Sequence, residues 1–92
     1  MDMVTTSQPS TKKSKKIIYF STPECGPCKS IAPIVASLKT EVEKVNPQED
    51  SGLAMAFNVY SVPTFVLVNE NGDVVDVLRG TSAATIEKLK RF

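Results

Sequence analysis

The reactive groups of this chain are its two cysteines, Cys25 and Cys28, which it carries in the segment Glu-Cys-Gly-Pro-Cys-Lys at residues 24–29. A disulfide between residues so close in sequence closes too small a loop to stabilise a fold. The spacing suits disulfide exchange: Cys25 attacks a substrate disulfide, and Cys28, one helical turn later, releases the reduced substrate. We therefore predict a redox pair in which Cys25 is the exposed member.

A helix that begins near Cys25 would favour the reactive thiolate. A free thiol with a pKa of about 8.5 is only about 3% ionised at neutral pH. The unpaired N–H groups and the positive dipole end of a helix start lower the pKa of a thiol placed there. Lys29 adds to this effect, whereas Glu24 opposes it, because a neighbouring negative charge disfavours the thiolate.

Two other uses of the cysteine pair are weaker interpretations. A zinc site would need further ligands, but the sequence has no histidine and no second pair of cysteines, so we predict no metal site. Two buried structural cysteines are the second alternative. A pair that follows a strand and opens a helix is more typical of a redox motif.

The apolar pattern predicts an α/β fold in the order β-α-β-α-β-β-α, with a mixed four-stranded sheet and three flanking helices. The strand predicted at 40–46 has an alternative, since good helix formers at 41–44 would also extend the preceding helix. Residues 1–15 read as a polar, basic tail, and residues 16–92 as one domain.

Charge and hydropathy argue against several classes of function and location. The net charge of +1 gives no broad basic field for nucleic acid, and no apolar segment is long enough for a signal peptide or a membrane span. We therefore expect a cytoplasmic monomer in a reducing compartment.

From about residue 17 to the end, the sequence resembles the thioredoxin family. The resemblance is carried by three motifs and a hairpin turn at Asn71-Gly72. The motifs are Cys25-Gly26-Pro27-Cys28-Lys29, Ile31-Ala32-Pro33 and Val62-Pro63-Thr64.

The resemblance implies roles for the residues of these motifs. It implies that Cys25 is the attacking cysteine and Cys28 the resolving one. It also implies a cis Val62–Pro63 bond beside the disulfide, with the backbone of Val62 pairing with an extended substrate segment.

Four further residues are expected to support the site. Gly26 and Pro27 keep the turn between the cysteines compact. By the resemblance, Gly80 leaves room near the site, and Lys44 takes the position where the family often has a buried lysine.

The chain also departs from the family. Glu24 stands where tryptophan is usual, and Tyr19 stands where a buried aspartate usually assists proton transfer. The usual first strand and helix are missing, so we expect a compact thioredoxin-like fold. Slower deprotonation of Cys28 is the hypothesis that follows from the missing aspartate.

The function implied is that of a protein disulfide reductase without a bound cofactor. Its electrons would come from NADPH through a separate thioredoxin reductase, and its substrates would be proteins with disulfides, with ribonucleotide reductase as one candidate. The alternatives are a glutathione-dependent, glutaredoxin-like enzyme and a non-catalytic binding module of the same fold.

Overall fold

The computed structural model describes residues 14–92, so the predicted tail at 1–15 lies outside the described residues except for its last two. The described elements follow the predicted order of strands and helices. They are β1 (Lys16–Phe20), α1 (Gly26–Ala36), β2 (Glu41–Val45), α2 (Ser51–Ala56), β3 (Thr64–Val68), β4 (Val74–Arg79) and α3 (Ala83–Arg91).

The four strands form one mixed sheet in the order β2-β1-β3-β4. β1 pairs with β2 in parallel and with β3 antiparallel, and β4 pairs antiparallel with β3. The helical alternative for 41–44 is therefore wrong. α1 ends at Ala36, where the Ser37 backbone and hydroxyl both donate to Ile34 O, and the following residues pair with β1.

The sheet has an apolar layer on each face. Ile17 and Tyr19 of β1 point to one face, together with Phe65 of β3, and are covered by residues such as Ile31 of α1 and Leu89 of α3. The alternate residues Ile18, Phe20 and Val66 point to the other face, where Ala54 of α2 packs on them. Because both faces are covered, β1 is apolar along almost its whole length rather than alternating with polar residues.

Side chains cap the start of the second and third helices. The Asp50 carboxylate accepts a hydrogen bond from Leu53 N at 3.1 Å, and the Ser82 hydroxyl accepts one from Thr85 N at 3.2 Å. None of the helices within residues 14–92 is long and apolar enough to cross a bilayer.

The sheet register brings two loops together. Phe20, the last residue of β1, lies opposite Thr64, the first residue of β3. The loop that leaves β1 leads to the cysteines, and the loop that enters β3 ends at Pro63. Both loops therefore join the sheet at the same end of these two strands, and the cysteine segment and the proline segment lie side by side.

Candidate active site

Cys25 is the N-cap residue of α1. Its backbone is extended, with φ −77° and ψ 109°, and its Sγ accepts a hydrogen bond from Cys28 N at 3.1 Å. Pro27 lies in the first turn, where a missing N–H costs no helical hydrogen bond. The sulfur of Cys25 therefore lies where backbone N–H groups stabilise negative charge.

Cys25 and Cys28 are joined as a disulfide, with their Cα atoms 5.2 Å apart, a usual separation for such a bond. The expectation that Cys25 is the exposed member is wrong for this oxidised state, because Cys25 is 8% exposed and Cys28 is 5% exposed. Both sulfurs belong to the apolar layer under α1, and Val62 packs against that layer from the neighbouring loop.

The Val62–Pro63 bond is cis, as predicted, and Pro63 is fully buried. Two hydrogen bonds fix this loop on the sheet. The backbone N–H of Gly80 donates to Pro63 O at 3.0 Å, and the hydroxyl of Thr64 donates to Ser61 O at 2.8 Å. The loop is thus held at both sides of the proline.

The reason expected for Gly80 differs from what the structure shows. A Cβ built at this position would meet no heavy atom within 4 Å, so glycine does not serve to leave room there. Its φ of +87° lies in the left-handed region, which glycine adopts without steric cost. Glycine is needed for the backbone turn that presents its N–H to Pro63 O.

Lys44 is exposed, so the expected burial of this lysine is wrong. It lies opposite Tyr19 in the pairing of β1 with β2. β2 is an edge strand of the described sheet, and a long side chain on such a strand reaches solvent easily. Gly26, in the turn between the cysteines, is also exposed.

Tyr19 contacts the cysteine pair, a connection that the sequence interpretation missed. Its ring stacks on that of Phe65, with centroids 4.9 Å apart and an interplanar angle of 5°. Its hydroxyl donates to Cys28 O at 3.3 Å. Burial raises the pKa of the Tyr19 phenol, and the neighbouring Ser21 hydroxyl partly offsets that rise.

A cleft of about 210 Å³ opens beside Cys28. Its titratable lining groups are Tyr19, Cys28, Lys29 and Lys44, with no carboxylate among the residues that line it. Ser21 also lines the cleft, and its buried hydroxyl has no hydrogen-bond partner within residues 14–92. Both lysines were named in the sequence analysis, and they reach this cleft from two different elements, Lys29 from α1 and Lys44 from β2.

No group of three or more potential metal ligands occurs within residues 14–92.

The comparison with known proteins decides the family. The sequence model of the family described as Thioredoxin matches residues 6–91 of this chain. The chain belongs to the thioredoxin family. The predicted family and the predicted thioredoxin-like fold are both confirmed, and the Cys25–Cys28 pair is the dithiol–disulfide couple of this thioredoxin domain.

Individual relatives agree with this assignment. Thioredoxin-T of Drosophila melanogaster is 37% identical over 79 residues, which are 79% of this chain and 50% of that protein. The thioredoxin of Synechocystis sp. (strain ATCC 27184 / PCC 6803 / Kazusa) is 32% identical over 83 residues, 78% of this chain and 77% of the relative. The chain spans half or less of the length of three curated relatives that it matches, Thioredoxin-T among them.

The fold has close counterparts among solved structures. The Fasciola hepatica thioredoxin superposes with a TM-score of 0.77 at 28% identity, and the match covers 89% of this chain and 83% of that one.

Proposed function

We propose that this chain is a thiol–disulfide oxidoreductase that works as a protein disulfide reductase. The observation that carries the proposal is the position of Cys25, whose Sγ caps α1 and accepts the N–H of Cys28. A helix start contributes up to about 2 kcal/mol to a charge in favourable geometry. That energy would raise the ratio of thiolate to thiol roughly 30-fold, since each 1.36 kcal/mol is a factor of ten.

The reaction has two exchange steps. The thiolate of Cys25 attacks one sulfur of a substrate disulfide, forms a mixed disulfide and expels the first substrate thiolate. Cys28 loses its proton and attacks the sulfur of Cys25, which breaks the bond to the substrate and releases the second substrate thiolate. The substrate gains two electrons, its two thiolates take up protons from solvent, and Cys25 and Cys28 form the disulfide seen in the structure.

The loop at Val62 is the proposed docking site of the substrate. Val62 is half-buried beside the disulfide layer, and a groove of about 230 Å³ runs along this loop. An extended peptide could pair there with the Val62 backbone, as in strand addition. Tyr60, which is 77% exposed, lines the same groove and would contact the side chains that flank the substrate cysteine.

The source of electrons is part of the proposal. NADPH would supply them through a separate thioredoxin reductase, with no cofactor bound to this chain. The substrates would be proteins with disulfides, and ribonucleotide reductase is one candidate. We further propose a cytoplasmic monomer, because a reducing compartment keeps the dithiol form available.

Reduction of insulin disulfides tests the proposal. The protein with dithiothreitol should accelerate insulin precipitation, and Cys25→Ser should abolish the acceleration. Ser30→Ala is the matched control, because Ser30 is an exposed hydroxyl on the same helix. A parent protein that does not accelerate the precipitation would refute the enzyme and favour a binding module, whereas full activity of Cys25→Ser would refute the role of Cys25.

The reduction potential separates the two redox alternatives. A value near about −270 mV is typical of thioredoxin, whereas roughly −200 to −230 mV is typical of glutaredoxins. We expect the first value, together with reduction by NADPH and thioredoxin reductase. Faster reduction by glutathione than by the reductase would favour the glutaredoxin-like alternative.

A further inference from the structure

The cleft beside Cys28 contains hydroxyl groups where proton transfer would otherwise need a carboxylate. The Tyr19 hydroxyl donates to the carbonyl of Cys28 at 3.3 Å, and its ring is fixed by stacking on Phe65. Tyr19 is only 5% exposed. A residue held at both ends in this way fixes the backbone of Cys28 relative to the sheet.

Ser21 provides the second hydroxyl. The residue is 2% exposed, and its Oγ makes no geometrically satisfactory hydrogen bond within residues 14–92, although it lies near enough to the Tyr19 phenol to lower the pKa of that group. A buried hydroxyl without a partner is costly, and such a group in a native structure calls for an explanation. Ser21 and Cys28 line the same cleft, so the hydroxyl and the resolving cysteine border the same water-accessible space.

The charges around this cleft favour a thiolate. Lys29 of α1 and Lys44 of β2 line it, together with Cys28 and the phenol of Tyr19. An adjoining cleft shares Ser21 and Lys44 and is also lined by Glu49, the one carboxylate of the two linings. A volume of about 210 Å³ holds several water molecules, each of which occupies about 30 Å³ of liquid.

We propose that Tyr19 is a positioning residue for Cys28, and that the Ser21 hydroxyl relays the proton of the Cys28 thiol to water in the cleft and stabilises the thiolate by donating a hydrogen bond to it. This inference rests on the proposed function, because it concerns the second exchange step. The Sγ–H bond of Cys28 breaks, and the proton passes through the Ser21 hydroxyl and water to solvent. The sulfur electron pair attacks Cys25 Sγ, and the substrate thiolate leaves.

Ellman's reagent separates the two steps in a stopped-flow experiment on the reduced protein. The first release of thionitrobenzoate reports attack by Cys25, and the second reports displacement by Cys28. Thionitrobenzoate leaves as a stable thiolate, so the second phase depends on the ionisation of Cys28 and not on protonation of the leaving group. Both rates are measured from neutral pH to pH values at which the thiol is fully ionised.

We expect Ser21→Ala to slow the second phase about tenfold at neutral pH, which corresponds to the loss of one hydrogen bond to a charged group. The rates of variant and parent should converge at high pH, where the parent thiol is already ionised. Tyr19→Phe, which keeps the ring, should also slow the second phase at neutral pH. The first phase should change by less than about twofold in both variants, and Ser30→Ala should leave both phases unchanged.

Two results would overturn the inference. One is an unchanged second phase in Ser21→Ala, and the other is a decrease of equal size at every pH, which would indicate displaced geometry only. Ser21→Ala should fold as well as the parent, because it removes a buried hydroxyl without a protein partner. A missing first phase in the parent would instead refute the proposed function, and this inference with it.

Discussion

Gly80 and Gly72 form a matched pair that tests why the chain has glycine beside Pro63. Both have a φ of +87°, and a Cβ at either position would meet no heavy atom within 4 Å. They differ in location, because Gly80 donates its N–H to Pro63 O and Gly72 lies in the hairpin turn between β3 and β4. Substitution by alanine keeps the N–H in both cases.

The expected loss of stability is the same for Gly80→Ala and Gly72→Ala. Left-handed backbone costs an L-residue roughly 1–2 kcal/mol. Alanine also lowers the conformational entropy of the unfolded chain, which stabilises the folded protein by about 0.4–1 kcal/mol. The free energy of unfolding should therefore fall by about 1 kcal/mol in each variant. With a slope of about 1–2 kcal/mol per molar urea, the midpoint should move by roughly 0.5–1 M.

Urea unfolding of the oxidised protein, followed by circular dichroism, measures this shift, and insulin reduction measures the function. Gly52→Ala is the control in α2, where no positive φ occurs and alanine should stabilise by up to about 1 kcal/mol. The reasoning fails if Gly80→Ala loses more than about 3 kcal/mol while Gly72→Ala loses about 1 kcal/mol. That result would show that space beside Pro63 does require glycine.

Three further predictions concern the site and its support. In the reduced protein, Cys25→Ser should leave the free energy of unfolding unchanged, whereas Cys25→Ala should lower it by about 1 kcal/mol, because only serine retains an acceptor for Cys28 N. Urea unfolding of the reduced proteins measures the difference. Stability of the oxidised parent should fall as pH rises above 10.0, since burial raises the pKa of Tyr19 and the unfolded chain then releases the proton that the folded one keeps. Tyr19→Phe should lack this component, and urea midpoints at about pH 9 and about pH 11 reveal it; an equal alkaline loss in both proteins would contradict the assignment. Phe65→Ala should lower the free energy of unfolding by about 3–5 kcal/mol, because Phe65 is fully buried. Met55→Ala, at a position that is 76% exposed, should change it by less than about 0.5 kcal/mol in the same assay. Similar losses in the two variants would contradict the packing.

The order of the elements could be predicted from the sequence because local and long-range signals agree. Asp50 and Ser82 cap helices at the places where the apolar pattern changes period. The ambiguous segment was 41–44, whose helix formers would have extended α1. Pairing with β1 decides that segment, and pairing between strands distant in sequence is not contained in local propensity.

The site could be predicted in its motif residues but not in its surroundings. Cys25, Cys28 and Pro63 carry a motif, so their neighbourhood followed from the family resemblance. The exposure of Lys44 depends on its place on an edge strand, and Cys25 is buried in an apolar cluster built from elements that are distant in sequence. The contact of Tyr19 with Cys28 joins two elements through a backbone carbonyl, which leaves no sequence pattern.

The opposed positions of Phe20 and Thr64 have a consequence for how this protein can change over generations. The separation of the cysteine segment from Pro63 is set by neighbouring strands, which lie about 4.8 Å apart in any sheet. The sequences of the connecting loops at 21–24 and 57–62 therefore do not set that separation. Exposed side chains of these loops, such as Tyr60, are therefore free to diversify, so new partners can be acquired by exchange of loop residues while the spacing of the reactive centre is inherited unchanged.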